Sequence, residues 1–272
     1  MRKVILFIVA LIISMAAWGQ TRSTRSNAAP GTREPVQTKE SIFFADGTLD
    51  EYTAFQWDAI YSHIDNQIRY SASGAMLEQI EFAYNEDKGY VTTRITRDVE
   101  SRLRNRVVYQ YNAQGRLFRE SLVDNKGRIV STYEYGYDDR GNNISRIIKN
   151  RAGDTLATTS YTVDAAGKMT ASETRDMGGN VISSTTYAYD TQGNLTGQRV
   201  LNREGRVTSN IRAVWQDGRE VRNEMADASG TVLLLVTNEY GADGELTKRT
   251  VENFQGESKQ VMQYEYIFRP RR

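Results

Sequence analysis

From about residue 41 to the end, the chain is written in short alternating segments. Val181, Ser183, Thr185, Tyr187 and Tyr189 trace one face of such a segment, small in the middle and aromatic at the end. The opposite face, Ile182, Ser184, Thr186 and Ala188, is small and mostly polar. Residues two apart share a face only in an extended chain, so this is the pattern of a half-buried antiparallel strand. Segments of about 8 and 10 residues alternate, both of strand length. No helical period interrupts them.

Glycines punctuate the segments at a fixed interval. Gly89, Gly115, Gly141, Gly167, Gly193, Gly218 and Gly244 follow one another at steps of 26, 26, 26, 26, 25 and 26. Gly127, Gly153, Gly179, Gly205, Gly230 and Gly256 interleave with them at 26, 26, 26, 25 and 26. The second series extends back through Ser101 to Gly74 and Gly47. A sustained period of this size marks a repeat architecture. Most of these glycines close one motif with Asp or Asn three residues earlier, as in Asp124-Asn125-Lys126-Gly127 and Asp190-Thr191-Gln192-Gly193. The side-chain oxygen caps backbone N–H groups and Gly takes a left-handed conformation, as in a tight turn between antiparallel strands. A calcium ladder is the weaker reading of these acids, because several are Asn and one acid per turn supplies too few oxygens.

The longer segments end in aromatic pairs two apart: Tyr109 and Tyr111, Tyr135 and Tyr137, Tyr187 and Tyr189, Tyr264 and Tyr266. Degenerate copies are Phe55 with Trp57, Phe82 with Tyr84, Tyr161 with Val163, and Trp215 after Ala213, while Tyr240 continues the series. Trp57 and Trp215 occupy the same repeat position. Stacked across hairpins, these rings form a ladder that reads as the core, with a row of sugar-stacking platforms as the functional alternative. The implied fold class is all-β: a long antiparallel meander of about 17–18 strands built from hairpin repeats of about 26 residues, curled or spiralling to bury its aromatic face. Pro270 stands where the next Gly is due, so the array is expected to end on an intact strand.

The N-terminus has a different character. Met1-Arg2-Lys3 precedes an apolar run from Val4 to Ala17, too short to span a bilayer, with small residues Ala17 and Gly19 before Gln20. Residues 1–19 read as a signal peptide, 20–40 as a flexible linker and 41–272 as the repeat domain. Cleavage removes Arg2 and Lys3 and no acid, which takes 35 basic residues against 34 acidic to 33 against 34. A near-neutral chain offers no general attraction for polyanions, so nucleic acid is not an expected partner.

The string Tyr135-Gly136-Tyr137-Asp138-Asp139-Arg140-Gly141, echoed by Tyr187-Ala188-Tyr189-Asp190-Thr191-Gln192-Gly193, resembles the YD repeat of the RHS family. The resemblance covers roughly residues 41–272 and is clearest over 105–207. It implies an exported or surface protein whose repeats form a continuous spiralling β-sheet, with carbohydrate binding or cell contact as attributed roles. This chain is far shorter than a toxin-enclosing shell, so toxin delivery and self-cleavage are not carried over.

Chemistry narrows the function further. With no Cys and one His there is no thiol nucleophile and no multi-histidine metal site. His63 reads as a surface or turn residue, the recurrent acids are occupied in turns, and no Gly-x-Ser-x-Gly elbow stands out. The expectation is a non-enzymatic, cofactor-free, exported module of the periplasm or cell surface. It would bind a carbohydrate or an envelope or surface protein, or act structurally, without membrane insertion. The rivals are an outer-membrane β-barrel and, further off, a carboxylate-based enzyme. Against the outer-membrane barrel stand turns that are short on both sides, Ser131, Ser183 and Thr185 on the best apolar faces, and Arg94, Arg119 and Arg146 in mid-strand.

Overall fold

A computed structural model describes residues 33–270; the expected signal peptide and the first part of the expected linker lie outside the described residues. Residues 35–267 form one compact unit. The second unit is residues 1–34 with 268–272, whose described parts are the first residues of one strand and the last of another.

Among the described residues the chain forms eighteen strands in sequence order. They are β1 (Arg33–Phe44), β2 (Leu49–Trp57), β3 (Ile64–Ser71), β4 (Met76–Tyr84), β5 (Val91–Arg97), β6 (Leu103–Tyr111), β7 (Leu117–Asp124), β8 (Ile129–Tyr137) and β9 (Asn143–Lys149). The second half comprises β10 (Thr155–Val163), β11 (Met169–Asp176), β12 (Val181–Tyr189), β13 (Leu195–Asn202), β14 (Val207–Gln216), β15 (Arg219–Ala226), β16 (Val232–Tyr240), β17 (Leu246–Asn253) and β18 (Ser258–Pro270). The expected meander is present, and it goes one step further by closing. Each strand pairs antiparallel with the next, and β18 pairs with β1, so the sheet is a barrel with no free edge. The Thr38 hydroxyl donates to the Glu265 carbonyl across this seam, and Lys39 pairs with Glu265 at 3.0 Å.

One boundary differs from the sequence reading and one agrees with it. β1 begins at Arg33, so residues 33–40 of the expected linker are strand. Their polar side chains carry little period-2 signal, and it is the partners β2 and β18 that hold them extended. Pro270 is the last residue of β18, so the array ends on an intact strand as expected, and that strand is joined to β1.

The hairpins explain the period. In a typical turn the Gly127 N–H donates to the Asp124 carbonyl, while Asp124 Oδ1 accepts from the backbone N–H groups of Lys126 and Arg128. Arg128 also pairs with the Asp124 carboxylate and holds its pKa down at about 2. After each such turn the ladder slips by one residue, a β-bulge that adds to the twist needed for closure. Of the expected turn glycines, Gly115, Gly127, Gly141, Gly153, Gly167, Gly179, Gly193, Gly205, Gly218, Gly230 and Gly244 take positive φ. Gly256 does not; there Glu257 takes the left-handed conformation, at 45°. Where the glycine is missing from the series, Ser101 adopts φ 60° in its place. The step of 25 that occurs once in each series has one cause. Asp217 and Gly218 both have positive φ and Gln216 pairs directly with Arg219, so this hairpin uses a two-residue turn and saves one residue.

Candidate functional site: the inner wall of the barrel

Cross-strand pairing assigns every mid-strand side chain to one of two faces. On the even strands the exposed positions Gln56, Ala83, Gln110, Thr162, Ala188, Glu239 and Glu265 alternate with the aromatic positions. A closed single-layer sheet has no covering layer, so the less exposed, aromatic face is the lumen. Five of the buried hydrophobics, Val36, Val107, Leu234, Val251 and Met262, lie on that face. No side chain anywhere among the described residues reaches full burial. Barrels of 16–18 strands are in general wider than side chains alone can fill, and this one has eighteen. The aromatics on this face are half-buried.

The second aromatic of each pair has a definite job. The ladder between β7 and β8 ends at Arg119 and Glu134, short of Leu117, and the Tyr137 hydroxyl donates to the stranded Leu117 carbonyl at 2.7 Å. The same bond recurs twenty residues back from Tyr84, Tyr111, Tyr189, Tyr240 and Tyr266, at 2.7 to 2.9 Å. Trp57 and Trp215 make it through the indole N–H, to Gln37 and Leu195. This explains the repeat's preference for an aromatic with a polar tip, since each such ring pins the open end of one ladder while its body lines the lumen. The β9–β10 junction is the exception. Val163 stands at that position, the ladder ends at Ser145 and Ser160, and Asn143 Oδ1 is buried without a partner.

From β2 to β12 the first aromatic of each pair sits opposite a polar residue on the next strand. Phe55 faces Gln67, Phe82 faces Arg94, Tyr109 faces Glu120, Tyr135 faces Arg146, Tyr161 faces Ser172 and Tyr187 faces Gln198. The result is a belt of alternating rings and polar groups on the inner wall. The Tyr135 hydroxyl donates to Glu120 at 3.2 Å, and that of Tyr187 lies 3.2 Å from Ser172. Burial raises the pKa of Glu120 against the opposing pull of Tyr135, Arg94 and Arg146. It likewise raises Glu40 and Glu220 on the opposite arc, and it pushes the Tyr266 phenol up to about 12.

The outer wall contrasts with this. It is laced with cross-strand ion pairs: Arg97 with Glu81 at 2.7 Å, Arg119 and Lys149 with Glu134 at 2.8 and 2.7 Å, and Lys248 with Glu239 at 2.8 Å. The Lys149 and Arg119 contacts lower the Glu134 pKa, where burial raised the inner carboxylates. Arg199, Arg212 and Glu224 add charge to β13–β15 on the same face, as their pairing with outward neighbours shows.

This placement changes two of the sequence arguments. Arg94 and Arg146 face the lumen, as do Ser183 and Thr185, so none of them speaks about a lipid-facing surface. Arg119 does face outward. Sequence reasoning also missed the polar half of the belt. Its signal was present in Gln67, Arg94, Glu120, Arg146, Ser172 and Gln198, which recur at the repeat interval with changing identity. His63 follows a turn, where it lies 3.3 Å from Asp65 and packs its ring, tilted by 43°, against Tyr84 at 4.1 Å. Among the described residues no cluster of three or more His, Cys, Asp or Glu could hold a metal ion.

No family model matches the chain, and no curated protein matches it. Among solved structures the chain is similar to TcdB2-TccC3, with 12% identity and a TM-score of 0.34 over 81% of this chain and 16% of that one. The chain thus spans about one-sixth of the TcdB2-TccC3 chain. It is also similar to a porin-like protein from Bacteroides uniformis, with 14% identity and a TM-score of 0.31, covering 85% of this chain and 98% of that one. A porin-like protein from Bacteroides vulgatus gives 10% identity and a TM-score of 0.34, with 86% and 99% covered. At these scores neither likeness argues for a function.

Proposed function

We propose that the chain is an exported, non-catalytic binding barrel of the cell envelope, built from YD-like repeats, that holds a saccharide against its inner belt. The reading rests on one observation, the alternation of ring faces with hydrogen-bonding side chains around the lumen. Flat apolar faces beside scattered amides and hydroxyls suit a hydroxyl-rich ligand with apolar ring faces. A protein ligand fits less well, because the closed wall offers no strand edge for a peptide to extend. Saturable binding of oligosaccharides by the purified chain, weakened by Tyr161→Ala and Tyr187→Ala, is the expected result. Failure across a broad glycan panel would leave a purely structural role.

A second reading, an outer-membrane barrel, is favoured by the even, closed strand count. The ion pairs of the outer wall weigh against it, since a lipid-facing band needs uncharged side chains over about 25 Å. Fractionation of the native host separates the two. Release by an alkaline carbonate wash supports the binding barrel, and retention with heat-dependent gel mobility supports membrane insertion.

A further inference from the structure

The inner-face arginines fall into two groups. Arg69 pairs with Glu51 at 2.8 Å, and Arg249 Nε donates to Asn238 Oδ1 at 2.9 Å. Arg94 and Arg146 make no hydrogen bond or ion pair with any described residue, and the Nε of each is buried without an acceptor. Guanidinium groups are rarely left in this condition, because every buried N–H that loses water needs a replacement acceptor. Arg119 on the outer wall has the same orphaned Nε, but its Nη2 pairs with Glu134 at 2.8 Å, whereas Arg94 and Arg146 on the lumen face have no carboxylate at ion-pair distance among the described residues.

Their surroundings select the acceptor. Arg94 lies beside Phe82 and Arg146 beside Tyr135, with Glu120 on the strand midway between them. The one carboxylate of this arc already accepts from Tyr135, and two guanidiniums flank it, so the arc carries one net positive charge. Arg94 on β5 and Arg146 on β9 are four strands apart, about 19 Å along the wall. A ligand that satisfies both must carry acidic groups at intervals, with bodies that pass the rings of Tyr109 and Tyr135. We infer that the β5–β9 arc is an acidic-sugar subsite, in which Arg94 and Arg146 take carboxylates of a uronic-acid oligosaccharide and the tyrosines lie against its rings. This rests on the saccharide reading and adds the charge class and the residues that choose it.

Titration calorimetry on the purified chain tests it with three probes: a galacturonate hexasaccharide, its carboxyl-reduced neutral counterpart and a hexaglutamate peptide. The acidic sugar is expected to bind at least tenfold more tightly than either control. Arg94→Gln and Arg146→Gln are each expected to weaken it about tenfold, with partial recovery in Arg146→Lys and no change in the outer-wall Arg199→Gln. Equal binding of acidic and neutral sugars would overturn the subsite and leave the saccharide reading intact. Hexaglutamate binding as tightly would overturn it in favour of a general anion site, and no sugar binding at all would overturn both. Should the glutamine variants fail to fold, the arginine Nε–H resonances of the unmodified chain decide. They are expected to shift with the acidic sugar alone, and a lack of response to it counts against the subsite.

Discussion

The arc of wall around the seam, β16–β18 with β1, and the arc from β5 to β10 are made from one repeat yet hold their interiors differently. Around the seam Val36, Leu234, Val251 and Met262 are buried together on the inner face. Arg249 there is hydrogen-bonded to Asn238 and flanked by Glu40 and Glu220, and the pins of Tyr240 and Tyr266 are both made. From β5 to β10 Val107 is the one buried inner hydrophobic, the Nε of Arg94 and of Arg146 lacks an acceptor, and Val163 leaves a ladder end unpinned. Buried apolar packing is concentrated where the ring must be held shut, and unmet polar atoms are more numerous from β5 to β10, with Glu245 Oε2 before β17 a further case near the seam. A local departure from self-satisfaction in an otherwise consistent repeat is where a ligand is to be sought.

The largest test of this contrast concerns closure itself. Deleting residues 181–193 removes β12 and its turn and leaves an odd number of strands, so β18 can no longer meet β1 antiparallel. Loss of cooperative unfolding and of a compact hydrodynamic radius is expected. Deleting a whole unit, residues 168–193, removes two strands and should leave a folded barrel with a lower Tm. Equal behaviour of the two deletions would show that the seam contributes little.

Point substitutions sharpen the comparison. Leu234→Ala beside the seam is expected to cost about 2–5 kcal/mol in denaturant unfolding. Leu156→Ala, at a residue 46% exposed in the other arc, should stay within about 0.5 kcal/mol. A smaller effect belongs to the pins. Tyr137→Phe removes one hydroxyl donor and is expected to cost about 1 kcal/mol. Val163→Tyr supplies the missing pin and should stabilise the chain by up to about 1 kcal/mol, with slower amide exchange in β9 and β10. A destabilising Val163→Tyr would mean that the gap is filled in some other way.

The mildest prediction is the pH profile, in which turns and lumen act in opposite senses. Asp124 is held at about 2, and Asp138, Asp176, Asp190 and Asp227 are also lowered, mainly by the hydrogen bonds of their own turns. Their contribution is present above the ordinary Asp range and is lost as pH falls towards the folded values. Glu40, Glu120 and Glu220 are raised by burial, so they are harder to ionise in the folded chain than in the unfolded one. Their contribution is present below the ordinary Glu range and is lost as pH rises through the folded values. Tm should therefore peak at mildly acid pH, and Glu120→Gln should flatten the alkaline limb. A limb unchanged by that substitution would place the responsible groups elsewhere.

The strands, their number and nearly all of their turns were legible in the sequence, because an Asp or Asn followed three residues later by Gly carries its own local geometry. Closure was not. The β1–β18 pairing joins positions more than two hundred residues apart, as in the Thr38 to Glu265 contact, and no local period encodes it. Period-2 alternation also says which residues share a face without saying which face turns inward. Arg94, Arg119 and Arg146 thus look alike in the sequence, although closure puts the first and third in the lumen and the second outside. Tyr137 and its counterparts were visible as a ladder, but their role as ladder-end donors follows only from the one-residue slip after each turn.

That the unit of construction is a hairpin has a consequence for how such a barrel changes over generations. Duplication or loss of a single 26-residue segment of the gene keeps the strand count even and the two terminal strands antiparallel. Each such event alters the perimeter by two strands, about 10 Å, and hence the bore by about 3 Å. The diameter of the lumen is in this sense a copy number, inherited in discrete steps, and a lineage can resize what the barrel admits without redesigning any one strand.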